Sequence, residues 1–246
     1  SSINKLHAVC LNPTYSKNEE LSLASNSLLL VTHASSIYDF SWSSQKGVNS
    51  IIELAKQSGI PAIYLQREED DQKSYFYQDC NPAHFISSAG GNFNFDFQAN
   101  HVISVGGHLE LCQLLSIREV VANFKRRAAN QDVRLTVVID ATYVKGYHIS
   151  GRDSYYKEFQ RFTYPWFGKK RKATLDDLLS IAKRPKLQLE LLTRIVKSFL
   201  SDSPLTTYNV ELYRDNHFVE MIGQKSDQIT RSIIINFTHS NNLNIE

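Results

Sequence analysis

Four short, mostly apolar runs punctuate the first 145 residues: 28–31 (Leu-Leu-Leu-Val), 61–65, 101–105 and 134–139. Runs that do not alternate with polar residues suit strands buried on both faces of a parallel sheet. Between the first two, residues 46–58 set Val48, Ile51, Ile52 and Ala55 on one helical face, and Gly59 supplies a stop. Between the last two, Leu111, Leu114, Leu115 and Val121 mark a second helix over 111–124. Alternation of buried strands with amphipathic helices is the α/β signature. The strand–helix–strand unit over 28–65 is expected to cross over right-handed.

Residues 66–100 break the pattern. They open with Glu68-Glu69-Asp70-Asp71, continue through seven aromatics, and contain a Gly90-Gly91 turn. The pattern allows short strands at 84–87 and 92–97. A connection this long is uncommon in a compact domain and reads as a functional lid.

After residue 145 the character changes again. Residues 146–172 are rich in Tyr, Phe and basic side chains. Thr174 is a good N-cap, followed by Asp176 and Asp177 where they favour the helix dipole. A helix to about residue 184 and, past Pro185, another over 186–200 follow. Residues 208–213 and 217–222 around a turn at 214–216 predict a β-hairpin, and 229–238 one more strand. The expected architecture is a three-layer, mostly parallel α/β domain over 27–145. An N-terminal strap (1–26) precedes it, and an α+β extension or small second domain (146–246) follows.

Composition narrows the function only a little. The 246 residues are 42% hydrophobic with a formal net charge of +2, so no global field points to nucleic acid or a membrane surface. No apolar run approaches the ~20 residues needed to cross a bilayer. The chain begins at Ser1 and its single methionine is Met221. A removed leader and a trimmed start fit equally, leaving secreted or periplasmic and cytoplasmic locations both open. Of Cys10, Cys80 and Cys112, the first two could pair in an oxidising compartment, and three reduced cysteines fit as well.

The sharpest chemical feature is Val105-Gly106-Gly107-His108-Leu109-Glu110-Leu111-Cys112. A buried strand ends, the chain turns at two glycines, and a helix begins near a cysteine. Open α/β sheets bind ligands at the carboxyl ends of their strands. A cysteine at a helix N-terminus gains thiolate character, and the exposed N–H groups there can hold an oxyanion. The alternative is a packing cysteine beside Leu111, Leu114 and Leu115.

This stretch resembles the nucleophile segment of the isochorismatase-like cysteine hydrolases, which include nicotinamidases and N-carbamoylsarcosine amidohydrolases. Gly106, Glu110, Leu111 and Cys112 occupy the family's glycine, acidic, bulky and cysteine places. Residues 137–142 (Val-Val-Ile-Asp-Ala-Thr) resemble its next strand, and 28–31 with Asp39-Phe40 its first strand and following loop. The likeness covers roughly residues 27–145. It implies a cis peptide near Gly107–His108 and an oxyanion hole from the main-chain N–H groups of His108 and Cys112. It also implies an aspartate base at the end of the first strand, where this chain has Thr32-His33, the place falling most naturally on His33. The family's lysine has no counterpart over 84–88, and its following helix gives way to Gly90-Gly91. The histidine cluster that holds metal in nicotinamidases is replaced by Gln66-Arg67-Glu68-Glu69-Asp70.

The leading expectation is a divergent member with an incomplete hydrolase centre that binds a small molecule or a protein partner. The runner-up is an active hydrolase on a small amide or carbamoyl-type substrate, with Cys112 as nucleophile, His33 as base, and Glu110 or His108 assisting. A third reading docks a macromolecule on Lys169, Lys170, Arg171 and Lys172, the densest basic cluster. A solvated loop explains that cluster as well, so nucleic acid is disfavoured. No metal or cofactor is assigned, and homo-oligomerisation stays open by analogy with the fold.

Overall fold

The computed structural model describes residues 25–34, 42–67, 85–127, 131–144, 173–200, 208–223 and 231–245. Its frame is a single sheet. β1 (Ser27–Thr32), β2 (Ala62–Gln66), β3 (Phe85–Ser87), β4 (His101–Gly106), β5 (Val133–Val144), β7 (Asn209–Arg214), β8 (His217–Ile222) and β9 (Ser232–Thr238) lie in the order β3-β2-β1-β4-β5-β9-β7-β8. A short β6 (Ala173–Thr174) pairs antiparallel with the end of β5. Among these pairings only β6 with β5 and β8 with β7 are antiparallel.

Each apolar run is buried on both faces, as its lack of alternation predicts. On β1, Leu29 and Val31 enter the core beneath α1 (Trp42–Gln57), with Val48, Ile51, Ile52 and Ala55. Leu28 and Leu30 enter the opposite core, with Val120 and Phe124 of α2 (Cys112–Arg126). Each such side chain contributes about 1.5–3 kcal/mol by leaving water. The strand pinned on both sides therefore anchors the three layers.

The α+β extension joins this frame by adding strands to it. β9 lies parallel beside β5, and β7 beside β9. α3 (Leu175–Ile181) and α4 (Pro185–Phe199) bring Leu178, Leu191, Ile195 and Phe199 into the core that α2 covers. Thr174 caps α3 in a reciprocal box: its hydroxyl accepts from the Asp177 N–H at 3.1 Å, and the Asp177 carboxylate accepts from the Thr174 N–H at 2.8 Å.

One of the two short strands that the pattern allows over 84–97 does not form. Residues 92–97 form no ladder beyond an isolated bridge at Phe97. Phe93, Phe95 and Phe97 still alternate inward and are buried, with Phe93 and Phe95 stacked at 4.6 Å and Phe97 set edge-on to Phe124. The period of two is satisfied by packing on α2 rather than by hydrogen bonding to a neighbouring strand.

β5 is longer than its apolar run and carries a large bulge. Ser104 of β4 faces Val137, but Gly106 faces Thr142, so two steps along β4 match five along β5. A bulge bends its strand and re-aims side chains. Here Asp140 leaves the ladder to accept hydrogen bonds from the Ser240 N–H and hydroxyl, while Thr142 is delivered to the end of β4.

His101 opens β4 with its Nε2 at 2.7 Å from the Thr136 hydroxyl. Burial, with the Arg134 charge second, lowers its pKa to about 4. The unfolded chain takes up this proton first, so the contribution is complete above about pH 6.5 and lost as pH falls towards 4. Urea unfolding of the wild type should lose up to about 3 kcal/mol from this group between those limits. A His101→Gln variant should lack that part of the slope.

Candidate functional site

Because β1 to β5 run parallel, their carboxyl ends share one edge. The turn from β4 to α2 lies there, closely fitted to its neighbours. Thr32 and Gly106 are opposite each other in register. Gly106 has φ +103°, and a Cβ on it would sit 2.1 Å from the Thr32 carbonyl oxygen. The next N–H, of Gly107, donates to that same oxygen at 3.0 Å. The Gly107–His108 peptide is cis, at the place the family resemblance gives it. The His108 carbonyl then accepts from Leu111 N–H at 3.0 Å and Gln113 N–H at 3.1 Å, and Leu109 N–H donates to Tyr143 at 2.7 Å. These bonds close the turn and start α2 at Cys112.

No side chain caps α2, and its first turn carries no acidic residue. The Cys112 N–H is one of those a helix leaves without an intrahelical acceptor. His108 and Glu110 are buried within the turn. Gly106, Gly107, His108, Glu110 and Cys112 are thus brought together on one short stretch.

His33 lies one residue beyond β1, buried, with φ +45°. Its Nε2 is 2.5 Å from the Ser88 carbonyl oxygen. A carbonyl only accepts, so Nε2 carries the proton and donates. Ser88 in turn donates its N–H to Gln66 and its hydroxyl to the Asn92 carbonyl. Gly91 has φ +87°, and a Cβ there would sit 2.1 Å from the Cys112 carbonyl oxygen. The segment from Ser88 to Gly91 therefore fills the space between the ends of β1 and α2.

Thr32, the last residue of β1, faces α2 rather than solvent. Its hydroxyl is 2.9 Å from the Ser116 hydroxyl. Ser116 donates to the Gln113 carbonyl, which makes Thr32 the donor to Ser116. The Gln113 amide donates to Ser104 at 3.0 Å and reaches Thr142 at 3.4 Å. All five side chains are fully buried, and all are uncharged.

Cys112 is a free, half-buried thiol. Burial pushes its pKa up, and the Arg67 guanidinium pulls against that. Arg67 follows β2 directly, and sequence reasoning passed over it within the segment that replaces the metal-binding histidines. Its signal was positional: it is the first residue past a buried parallel strand, on the edge where Cys112 lies.

Lys169, Lys170, Arg171 and Lys172, Cys10 and Cys80, the aromatic stretch over 146–167 and the acidic run at 68–71 lie outside the described residues. Among the described residues no three His, Cys, Asp or Glu side chains are grouped to hold a metal ion. No described helix is long and apolar enough to cross a membrane. A groove of about 870 Å³ follows α1, lined by Lys46, Asn49, Glu53, Gln57, Ser240 and Asn241 among others. It does not include the Cys112 turn.

No family model and no curated protein matches the chain. Solved structures similar to it include the YcaC gene product of Escherichia coli, an octameric hydrolase of unknown specificity. That match has 11% identity and a TM-score of 0.36, and covers 71% of this chain and 88% of that one. MAR1 ribonuclease from Caenorhabditis elegans is similar at 14% identity and a TM-score of 0.34, over 74% of this chain and 93% of that one. An isochorismatase from Pseudomonas putida KT2440 is similar at 11% identity and a TM-score of 0.31, over 54% of this chain and 75% of that one. Identities and TM-scores of this size carry no activity across.

A Gly91→Ala variant tests the fit of the Ser88–Gly91 segment. The left-handed backbone alone costs about 1–3 kcal/mol, and the added Cβ also meets a backbone carbonyl that has little room to retreat. Chemical denaturation should show a loss of at least ~2 kcal/mol. Ala at Gly59, which also has positive φ but nothing within 4 Å, should show only the smaller backbone cost.

Proposed function

We propose that this chain is a divergent isochorismatase-like protein with an incomplete hydrolase centre, and that its Cys112 turn binds a small molecule without turning it over. The observation that supports this most is the state of the thiol. Burial outweighs the Arg67 charge and keeps the Cys112 pKa above its ordinary value, so the thiol is protonated near neutrality. A nucleophilic cysteine needs either a lowered pKa or an adjacent base.

The end of β1 offers no carboxylate base. Thr32 faces α2 at the end of β1, within a network of hydroxyls and one amide. The His33 Nε2–H is committed to the Ser88 carbonyl, so general-base work would fall to its other ring nitrogen. Arg67 supplies positive charge but cannot give up its proton in a protein. It suits holding a carboxylate or another strong acceptor on a ligand better than moving a proton.

The active-hydrolase reading keeps one observation in its favour, the Arg67 charge acting on the thiol. In it Cys112 attacks an amide or carbamoyl carbon, His33 accepts the thiol proton, and the His108 and Cys112 N–H groups hold the oxyanion. A protein partner at the same turn, or a macromolecule at Lys169–Lys172, remains the proposal for a chain in which small molecules fail to bind. The domain division at about residue 145 is likewise a proposal, with the later strands built onto the earlier sheet.

Alkylation by iodoacetamide as a function of pH separates the readings, in a background with Cys10 and Cys80 changed to serine. The binding reading expects an apparent pKa above that of free cysteine and, at pH 7, slower alkylation than free cysteine shows. Arg67→Ala should raise the midpoint further, because it removes the charge that favours the thiolate. A midpoint below 7, together with amide hydrolysis that Cys112→Ala abolishes, would overturn the binding reading and install the hydrolase.

A further inference from the structure

At the carboxyl edge of the sheet, away from the Cys112 turn, three elements meet on one imidazole. His239 follows β9 directly. Its Nε2 is 2.9 Å from Asp176 in the first turn of α3, and its Nδ1 is 3.2 Å from Asp215 in the β7–β8 turn. The His239 N–H donates to the same Asp215 oxygen at 3.0 Å, and the Thr238 hydroxyl reaches it at 3.3 Å. Next in the chain, Ser240 is held by Asp140 through both its N–H and its hydroxyl.

Both ring nitrogens face carboxylate oxygens, which only accept. A neutral imidazole carries one N–H, so it can satisfy one of these contacts and must set a lone pair against the other carboxylate. The doubly protonated ring satisfies both. We propose that His239 is a protonation-dependent latch that clamps α3 and the segment after β9 to the sheet edge, and through β6 steadies the wall of the Cys112 turn.

The route to that wall is covalent and hydrogen-bonded. α3 follows β6 without a break, and Thr174 of β6 pairs with Tyr143 of β5. The Tyr143 carbonyl accepts the Leu109 N–H, and a Cβ on Gly107 would meet the Tyr143 ring at 2.9 Å. The turn thus rests on a residue that α3 helps to hold. The proposal stands whether that turn binds or catalyses.

The charged groups around the ring act in one direction. Asp176 from α3 and Asp215 from the β7–β8 turn both raise the His239 pKa against the opposing effect of burial, with a net rise above 6.5. Asp215 is lowered in turn, its bonds from His239 and Asn242 outweighing burial. From β5, Asp140 faces Ser240. From α1, Lys46 and Glu53 line the groove beside Ser240 and Asn241. The raised histidine contributes below its unfolded pKa and releases as pH rises through its folded one; the lowered aspartate releases only as pH falls through its own. The latch is therefore closed below the ordinary histidine range and opens as pH rises through the raised His239 midpoint.

Hydrogen exchange of the full chain between pH 5.5 and 9, corrected for intrinsic amide rates, tests the latch. Protection of residues 175–181 and 107–111, taken relative to α1, should fall about three- to tenfold as pH rises through the His239 midpoint, the scale for half-exposed ion pairs. His239→Gln keeps a polar amide without the titration, and should show low, pH-independent protection in both segments. Asp176→Asn should release α3 while leaving the bond from the His239 N–H to Asp215. Unchanged wild-type protection over this range, or the same pH dependence in His239→Gln, would overturn the proposal. Loss restricted to 175–181 would overturn its link to the Cys112 turn.

Discussion

β1 is the constraint on which the rest of the structure depends. It is hydrogen-bonded to β2 on one side and β4 on the other, and buried against both helical layers. A strand in that position has no freedom of register, because a slip of one residue would exchange the side chains of the two cores. Its last carbonyl, on Thr32, then receives the Gly107 N–H and lies against the Gly106 Cα. The placement of the Cys112 turn is inherited from the register of β1, and glycine at 106 is what permits the approach.

The sheet extends this logic to the second half of the chain. β9 and β7 add in parallel beyond β5, so their carboxyl ends fall on the edge already occupied by the Cys112 turn. Parallel addition brings Asp215 and His239 to that edge, and the antiparallel pairing of β6 with the end of β5 brings Asp176 to them, although the three are distant in sequence. The bulge in β5 serves both neighbourhoods. It turns Asp140 towards Ser240 on one side and sets Thr142 beside Gly106 and Gln113 on the other.

The strands and helices were legible because their signal is local. Val48, Ile51, Ile52 and Ala55 announce the buried face of α1, and Thr174 with Asp177 announces the capping box. The Phe93–Phe95–Phe97 alternation allows a strand but does not require one, because period two specifies alternate burial, and α2 supplies that burial without a ladder. The β5 bulge was hidden, since residues 137–142 read as an uninterrupted strand whichever residues their neighbour pairs with. Arg67 and His239 were missed for a related reason. Each is a single polar residue just past a strand, and its meaning comes from which strands lie beside it.

The chemistry at the end of β1 follows from what is buried there. A carboxylate facing α2 beneath Cys112 would need charged or donor partners to offset its desolvation. The residues present carry no charge to desolvate: Thr32, Ser104, Gln113, Ser116 and Thr142 form a neutral network of hydrogen bonds, each worth about 0.5–1.5 kcal/mol net. Such a network has no group that titrates near neutrality. It steadies the first turn of α2 but cannot take the proton of Cys112. Burial raises the Cys112 thiol, and the Arg67 charge opposes that rise. At the end of β1 the group able to take a proton is His33, whose Nε2–H goes to the Ser88 carbonyl and leaves Nδ1 as the basic nitrogen.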